Sequence, residues 1–110
     1  VDIDVLKGLV GDDRDTVHEF LTEYLDAARK LATELQTAYA QGDARHISAI
    51  AHKLKSSSRS VGALALGDLC AGLENAGKAG DKAVIAKRME EFLIVMGAVE
   101  QEIRQLLAVG

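Results

Sequence analysis

His52 is the residue whose type and setting point most directly to chemistry. Taking about 100° per residue on a helix with His52 at zero, Ile47, Ile50, Leu54 and Val61 fall between roughly 160° and 220°. The imidazole therefore points away from the apolar stripe of its own helix. Within about 60° of it on the outer face stand Ser48, Ala49, Lys55, Ser56 and Arg59, which are small side chains and two cations. From Ala44 to Gly67 there is no Asp or Glu, whereas Arg45, Lys53, Lys55 and Arg59 are all positive. Neutral imidazole is a nucleophile near its ordinary pKa of about 6.5, and neighbouring cations offset the charge of an incoming group. Such a face is suited to accept a phosphoryl group. The same pattern fits an ordinary basic helix face with Lys stems lying along it, and the residues by themselves leave both open.

Other chemical signals are weaker. Gly72 to Ala79 matches the GxxxxGK half of a phosphate-binding loop, yet it lies inside a helical stripe, and Ala79 replaces the hydroxyl that would hold magnesium. A small-residue packing helix is the expectation there. Cys70 flanks Leu69 and Leu73 on the same stripe and reads as core. His18, His46 and His52 include no pair at the i, i+3 or i, i+4 spacing that puts two ligands on one helical face. The acidic residues are scattered and read as solvated helix exteriors.

Helices must position this face. The chain has no Pro and four aromatic residues, and its wealth of Ala, Leu, Glu, Lys and Gln favours an all-α protein. Gly followed by Asp occurs at Gly11-Asp12, Gly42-Asp43 and Gly80-Asp81, a pattern that ends one helix and caps the next. With a further break at Gly62, the predicted helices are a short one near 3–10 and longer ones near 13–41, 44–61, 63–79 and 82–109. The stripes agree: Val17, Phe20, Leu21, Tyr24, Leu25, Ala28, Leu31 and Leu35, then Ile47, Ile50, Leu54 and Val61. The last two segments carry Leu66, Leu69, Leu73 and Ala76, and Ile85, Phe92, Met96, Val99, Ile103 and Leu106. Short loops between amphipathic helices predict an antiparallel up-down-up-down four-helix bundle with an additional N-terminal helix.

Composition narrows function. At 110 residues the chain is one domain's worth. A net charge of −4 argues against a general nucleic-acid binder, which needs a broad basic face. The single Cys cannot form an internal disulfide and fits a reducing compartment, most simply the cytoplasm. The longest apolar run, Phe92 to Val99, is far short of the roughly 18 residues of a bilayer span, so no direct membrane contact is expected. A start at Val1 without Met suggests a single domain, 1–110, cut from a longer protein.

Ala51-His52-Lys53-Leu54-Lys55-Ser56, then Gly62, then Leu69-Cys70-Ala71-Gly72-Leu73-Glu74, resembles the histidine-containing phosphotransfer (Hpt) domain. The stretch from Leu6 to Asp13, with Phe20-Leu21, is similar to that family's first-helix region. The resemblance implies that His52 accepts a phosphoryl group at Nε2 from the aspartyl phosphate of a response-regulator receiver domain and passes it to another receiver. It makes Lys55 a charge-stabilising residue, places Ser56 in the small position beside the imidazole, where many members carry Gly, and makes Gly62 the end of the His-bearing helix. Arg59 joins Lys55 as a second candidate cation on geometry. Ser48, Ala49, Lys53 and Ser56 are the candidate partner-binding residues.

On that resemblance the chain is a carrier without autonomous kinase activity and without a cofactor or metal of its own, magnesium being expected on the receiver partner. It would work as a monomer in the cytoplasm, either alone or as the cytoplasmic domain of a membrane-bound hybrid sensor kinase. Two rivals stand beside it. One is a structural or dimerisation bundle in which His52 is incidental. The other is the dimerisation and phosphoacceptor domain of a sensor kinase, in which each of two chains gives one hairpin.

Overall fold

The computed structural model describes residues 1–11 and 13–108, the side chain of Leu9 excepted. It contains α1 (Ile3–Val10), α2 (Arg14–Ala40), α3 (Ala44–Ser60), α4 (Leu64–Ala79) and α5 (Lys82–Ala108). No strand occurs among the described residues. The longest dimension, 43 Å, is close to the roughly 40 Å of a 27-residue helix, so α2 and α5 run the length of the molecule.

Side-chain caps set the helix starts. The Asp43 carboxylate accepts from the His46 N–H, and that of Asp81 from the Val84 N–H at 3.2 Å. Gly42 and Gly80, immediately before them, have φ of +69° and +66°, which lets the chain reverse in a few residues. The N-cap of α2 is Asp13, whose side chain accepts from Asp15 N–H and Thr16 Oγ1. Asp12, expected in that role, and Val109, expected in the last helix, lie outside the described residues. The N-cap of α4 is Ala63, which has no side chain able to cap, in keeping with the absence of a Gly-Asp signal at that turn.

The turn from α3 to α4 depends on Gly62. Its φ is +75°, and a Cβ there would meet Asp2 Cβ at 2.4 Å and the Asp2 nitrogen at 2.7 Å. Asp2 in turn donates its N–H to the Val61 carbonyl and caps α1 with its carboxylate. The segment leading into α1 is thus laid against the end of α3.

α2 packs on α3, α3 on α4, α4 on α5, and α5 returns to α2, with α1 against α2. One apolar cluster fills the centre, including Leu21, Leu35, Leu54, Leu66, Leu73, Phe92 and Ile103. These are stripe residues facing one another, each worth about 1.5–3 kcal/mol when fully buried. Cys70 is buried with them, and burial pushes its thiol up to about 12, so it stays protonated. Ser58, fully buried, shares a 2.8 Å hydrogen bond with the buried Tyr24 hydroxyl. That bond spares both hydroxyls the cost of about 1–3 kcal/mol for a buried group left unpaired. Ser57 bonds back to the Lys53 carbonyl at 3.1 Å, as its place on the helix predicts.

Candidate functional site

The site is built where α3 and α4 come closest. Gly77 makes the approach possible: a Cβ there would lie 2.8 Å from the Ala44 carbonyl oxygen and 3.0 Å from Ser48. Ser48 Oγ crosses the seam and donates to the Glu74 carbonyl oxygen at 3.1 Å. One turn back from Lys78, the Glu74 side chain is thereby held under the outer face of α3.

Glu74 is the only buried side chain among the described residues that carries a formal charge, at 7% exposure. Its Oε1 accepts from Lys55 Nζ at 2.6 Å. Its Oε2 accepts from His52 Nδ1 at 3.0 Å and lies 3.4 Å from Lys78 Nζ. The Lys55 hydrogen bond, assisted by those from His52 and Lys78, holds the carboxyl at about 2 although burial pushes it the other way. It is therefore ionised at neutral pH and can only accept, so the proton in the 3.0 Å contact belongs to Nδ1. In the neutral form of the ring, which is 60% exposed, Nε2 is then the nitrogen without a proton. A nucleophilic lone pair is available there, and the carboxylate stabilises the positive charge the ring acquires when that nitrogen forms a bond.

Beside the ring runs an open groove of about 850 Å³ between the start of α3 and the end of α4. Ala49 and Lys53 line it, as do Arg45, Lys78, Ala79 and Gly80. Ala49, Lys53 and Ser56 are exposed, as expected of a contact surface. Lys55 is half-buried, with its ammonium committed to Glu74.

Two expectations need correction. Ser48, assigned to the exposed face, is buried at 8% against α4. Arg59, offered as a cation for the imidazole, extends to Asp68 at 3.4 Å, its stem packed on Gly67. The reason is common to both. On the α3 wheel Lys55, Ser48 and Arg59 lie roughly 20–60° to one side of His52, and Ala49 and Ser56 about 40–60° to the other. α4 covers the first side only, drawing three residues into its contacts and leaving the second side to solvent.

Glu74, Gly77 and Lys78 were not foreseen as site residues. Their signal was the α4 stripe itself, where Leu66, Cys70, Leu73 and Ala76 alternate with Glu74 and Gly77 on a face that is otherwise apolar or small. A carboxylate on a buried stripe needs donors from a neighbouring helix. His18 and His46 lie elsewhere, on α2 and at the start of α3.

Residues 19–109 match the family model of the Hpt domain. No curated protein and no solved structure matches the chain. The matched span runs from within α2 through α5 and covers most of the chain, so the protein belongs to the Hpt domain family, whose members carry phosphoryl groups on histidine in two-component phosphorelays. No helix among the described residues is long and apolar enough to cross a membrane.

Proposed function

We propose that this chain is a phosphorelay carrier: His52 accepts a phosphoryl group from the phosphoaspartate of a response-regulator receiver domain and passes it to the aspartate of another. The observation that carries this is the His52–Glu74 contact at 3.0 Å on a ring that is mostly exposed. The Nε2 lone pair attacks phosphorus in line, the N–P bond forms as the aspartyl O–P bond breaks, and the aspartate leaves with the electron pair. The Nδ1 proton stays in place, so the ring becomes cationic and Glu74 balances it. Delivery to a second receiver is the reverse. Lys55 keeps Glu74 ionised and adds positive potential. Ala49, Lys53 and Ser56 are the rim on which the receiver docks, and magnesium belongs to the receiver. The helices form an antiparallel up-down-up-down bundle that works as a monomeric, cytoplasmic domain, alone or within a larger hybrid sensor kinase, without kinase activity of its own.

The test is single-turnover transfer from labelled receiver domains. Wild-type protein takes up label at an acid-labile, histidine-linked position. His52→Gln takes up none, with helicity and melting unchanged, while His18→Gln and His46→Gln transfer normally. Label on His52→Gln at the wild-type rate would sink the proposal and return the protein to the structural-bundle class.

A further inference from the structure

The half-match to a phosphate-binding loop, Gly72 to Ala79, lies wholly within α4 and cannot cradle a nucleotide as such loops do. Its Gly77-Lys78 pair nevertheless stands beside the imidazole. Gly77 brings the last turn of α4 against α3, and Lys78, the following residue, lines the groove that His52 lines from the other wall.

Two lysines contact Glu74, and they differ in kind. Lys55 donates to Oε1 at 2.6 Å and is 22% exposed, so it is the counter-ion that a buried carboxylate requires. Lys78 lies 3.4 Å from Oε2 and is 67% exposed, a long, solvated pair of the sort that contributes little and breaks readily. It also shares Oε2 with His52 Nδ1. When Nε2 bonds to phosphorus the ring becomes cationic, and its Nδ1–H claims that oxygen more strongly. At the same moment about 1.5–2 negative charges and three acceptor oxygens arrive on the groove side of the ring. Both changes favour moving the ammonium from the carboxylate to the phosphoryl oxygens, and its four-carbon stem allows the move. The other cations on the groove are less well placed. Arg45 lies two turns from His52 along α3, roughly 10 Å, and Lys53 projects about 100° away around the helix.

We propose that Lys78 is the cation that contacts the phosphoryl group on His52, with Lys55 acting through Glu74. This rests on the phosphocarrier function proposed above and adds to it a direct contact from α4, a residue that sets how long the phosphohistidine persists.

The experiment uses the full chain labelled with phosphoramidate, a small donor that needs no docking partner. Lys78→Met, Lys78→Arg and wild type are compared by the half-life of the phosphohistidine and by the ³¹P titration of its phosphoryl oxygens. Lys78→Met is expected to shorten the half-life about fivefold at low ionic strength, the size of one partly exposed charge contact. It should also raise the pH at which the phosphoryl oxygens protonate. Lys78→Arg should restore both, and the difference should largely vanish at about 1 M salt, where the Debye length is near 3 Å. A structural role for Lys78 would move the melt and leave the ³¹P titration unchanged. Wild-type half-life and titration in Lys78→Met, with label on His52, would overturn this proposal alone. Label taken up by His52→Gln from a phosphorylated receiver domain would overturn the carrier function itself.

Discussion

His52 Nδ1 lies 3.0 Å from Glu74 Oε2, a contact between two helices that selects, for the neutral imidazole, the tautomer whose proton is on Nδ1. In the proposed transfer the exposed ring supplies the nucleophile and the buried carboxylate supplies its orientation. Neither residue would do so alone, because a free imidazole exchanges its proton between both nitrogens.

Glu74→Ala should therefore slow phosphoryl acceptance by about tenfold to 100-fold, the range for a hydrogen bond to a charged group of about 1.5–3 kcal/mol. Glu74→Gln should lose less, since its amide oxygen can still accept from Nδ1–H. Single-turnover label transfer measures both. Equal rates in all three proteins would remove Glu74 from the reaction.

Acid should destabilise the fold through the same carboxyl. Its folded-state pKa of about 2 lies below the ordinary 4.5, so the unfolded chain binds the proton first as pH falls. The stability Glu74 contributes is thus complete above about pH 4.5 and is lost progressively toward about pH 2. Denaturant unfolding across that window should show a shallower acid decline in Glu74→Gln than in wild type. Parallel declines would mean that other groups set the acid limb.

Gly77→Ala should damage both fold and site. The added methyl would gain helix propensity of up to about 1 kcal/mol, yet it meets the Ala44 carbonyl oxygen at 2.8 Å, backbone that can yield only by separating α3 from α4. Overpacking of this kind costs about 1–3 kcal/mol. A lower melting temperature together with slower transfer is expected, and a variant as stable and as active as wild type would show that the close approach is unnecessary.

Gly62→Ala and Gly80→Ala separate backbone strain from crowding. Both positions have positive φ, and each substitution costs about 1–2 kcal/mol on that account. At Gly80 the space is open, whereas at Gly62 the methyl would also strike Asp2. Thermal melts should place Gly62→Ala clearly below Gly80→Ala. Equal losses would mean that Asp2 moves aside at no cost.

The helices, their Gly-Asp boundaries at Gly42 and Gly80, the outward direction of His52 and the family likeness were all legible in the linear chain, because capping chemistry and the 3.6-residue period act within a few residues. That period fixes where a side chain points around its own axis. It carries no information about which side of the axis the next helix will cover, and that is where the linear pattern ran out. Ser48 and Ser56 are near mirror images about His52 on the wheel, and only the seating of α4, brought in by Gly77, buries the first and leaves the second exposed. The same seating turned Arg59 to Asp68 and set Glu74 beneath the imidazole, with Lys78 at the groove wall. Azimuth and depth between packed helices are settled by close packing of small residues far apart in sequence, so the outward-facing imidazole could be found from the chain, while the carboxylate that bonds it required the tertiary fold.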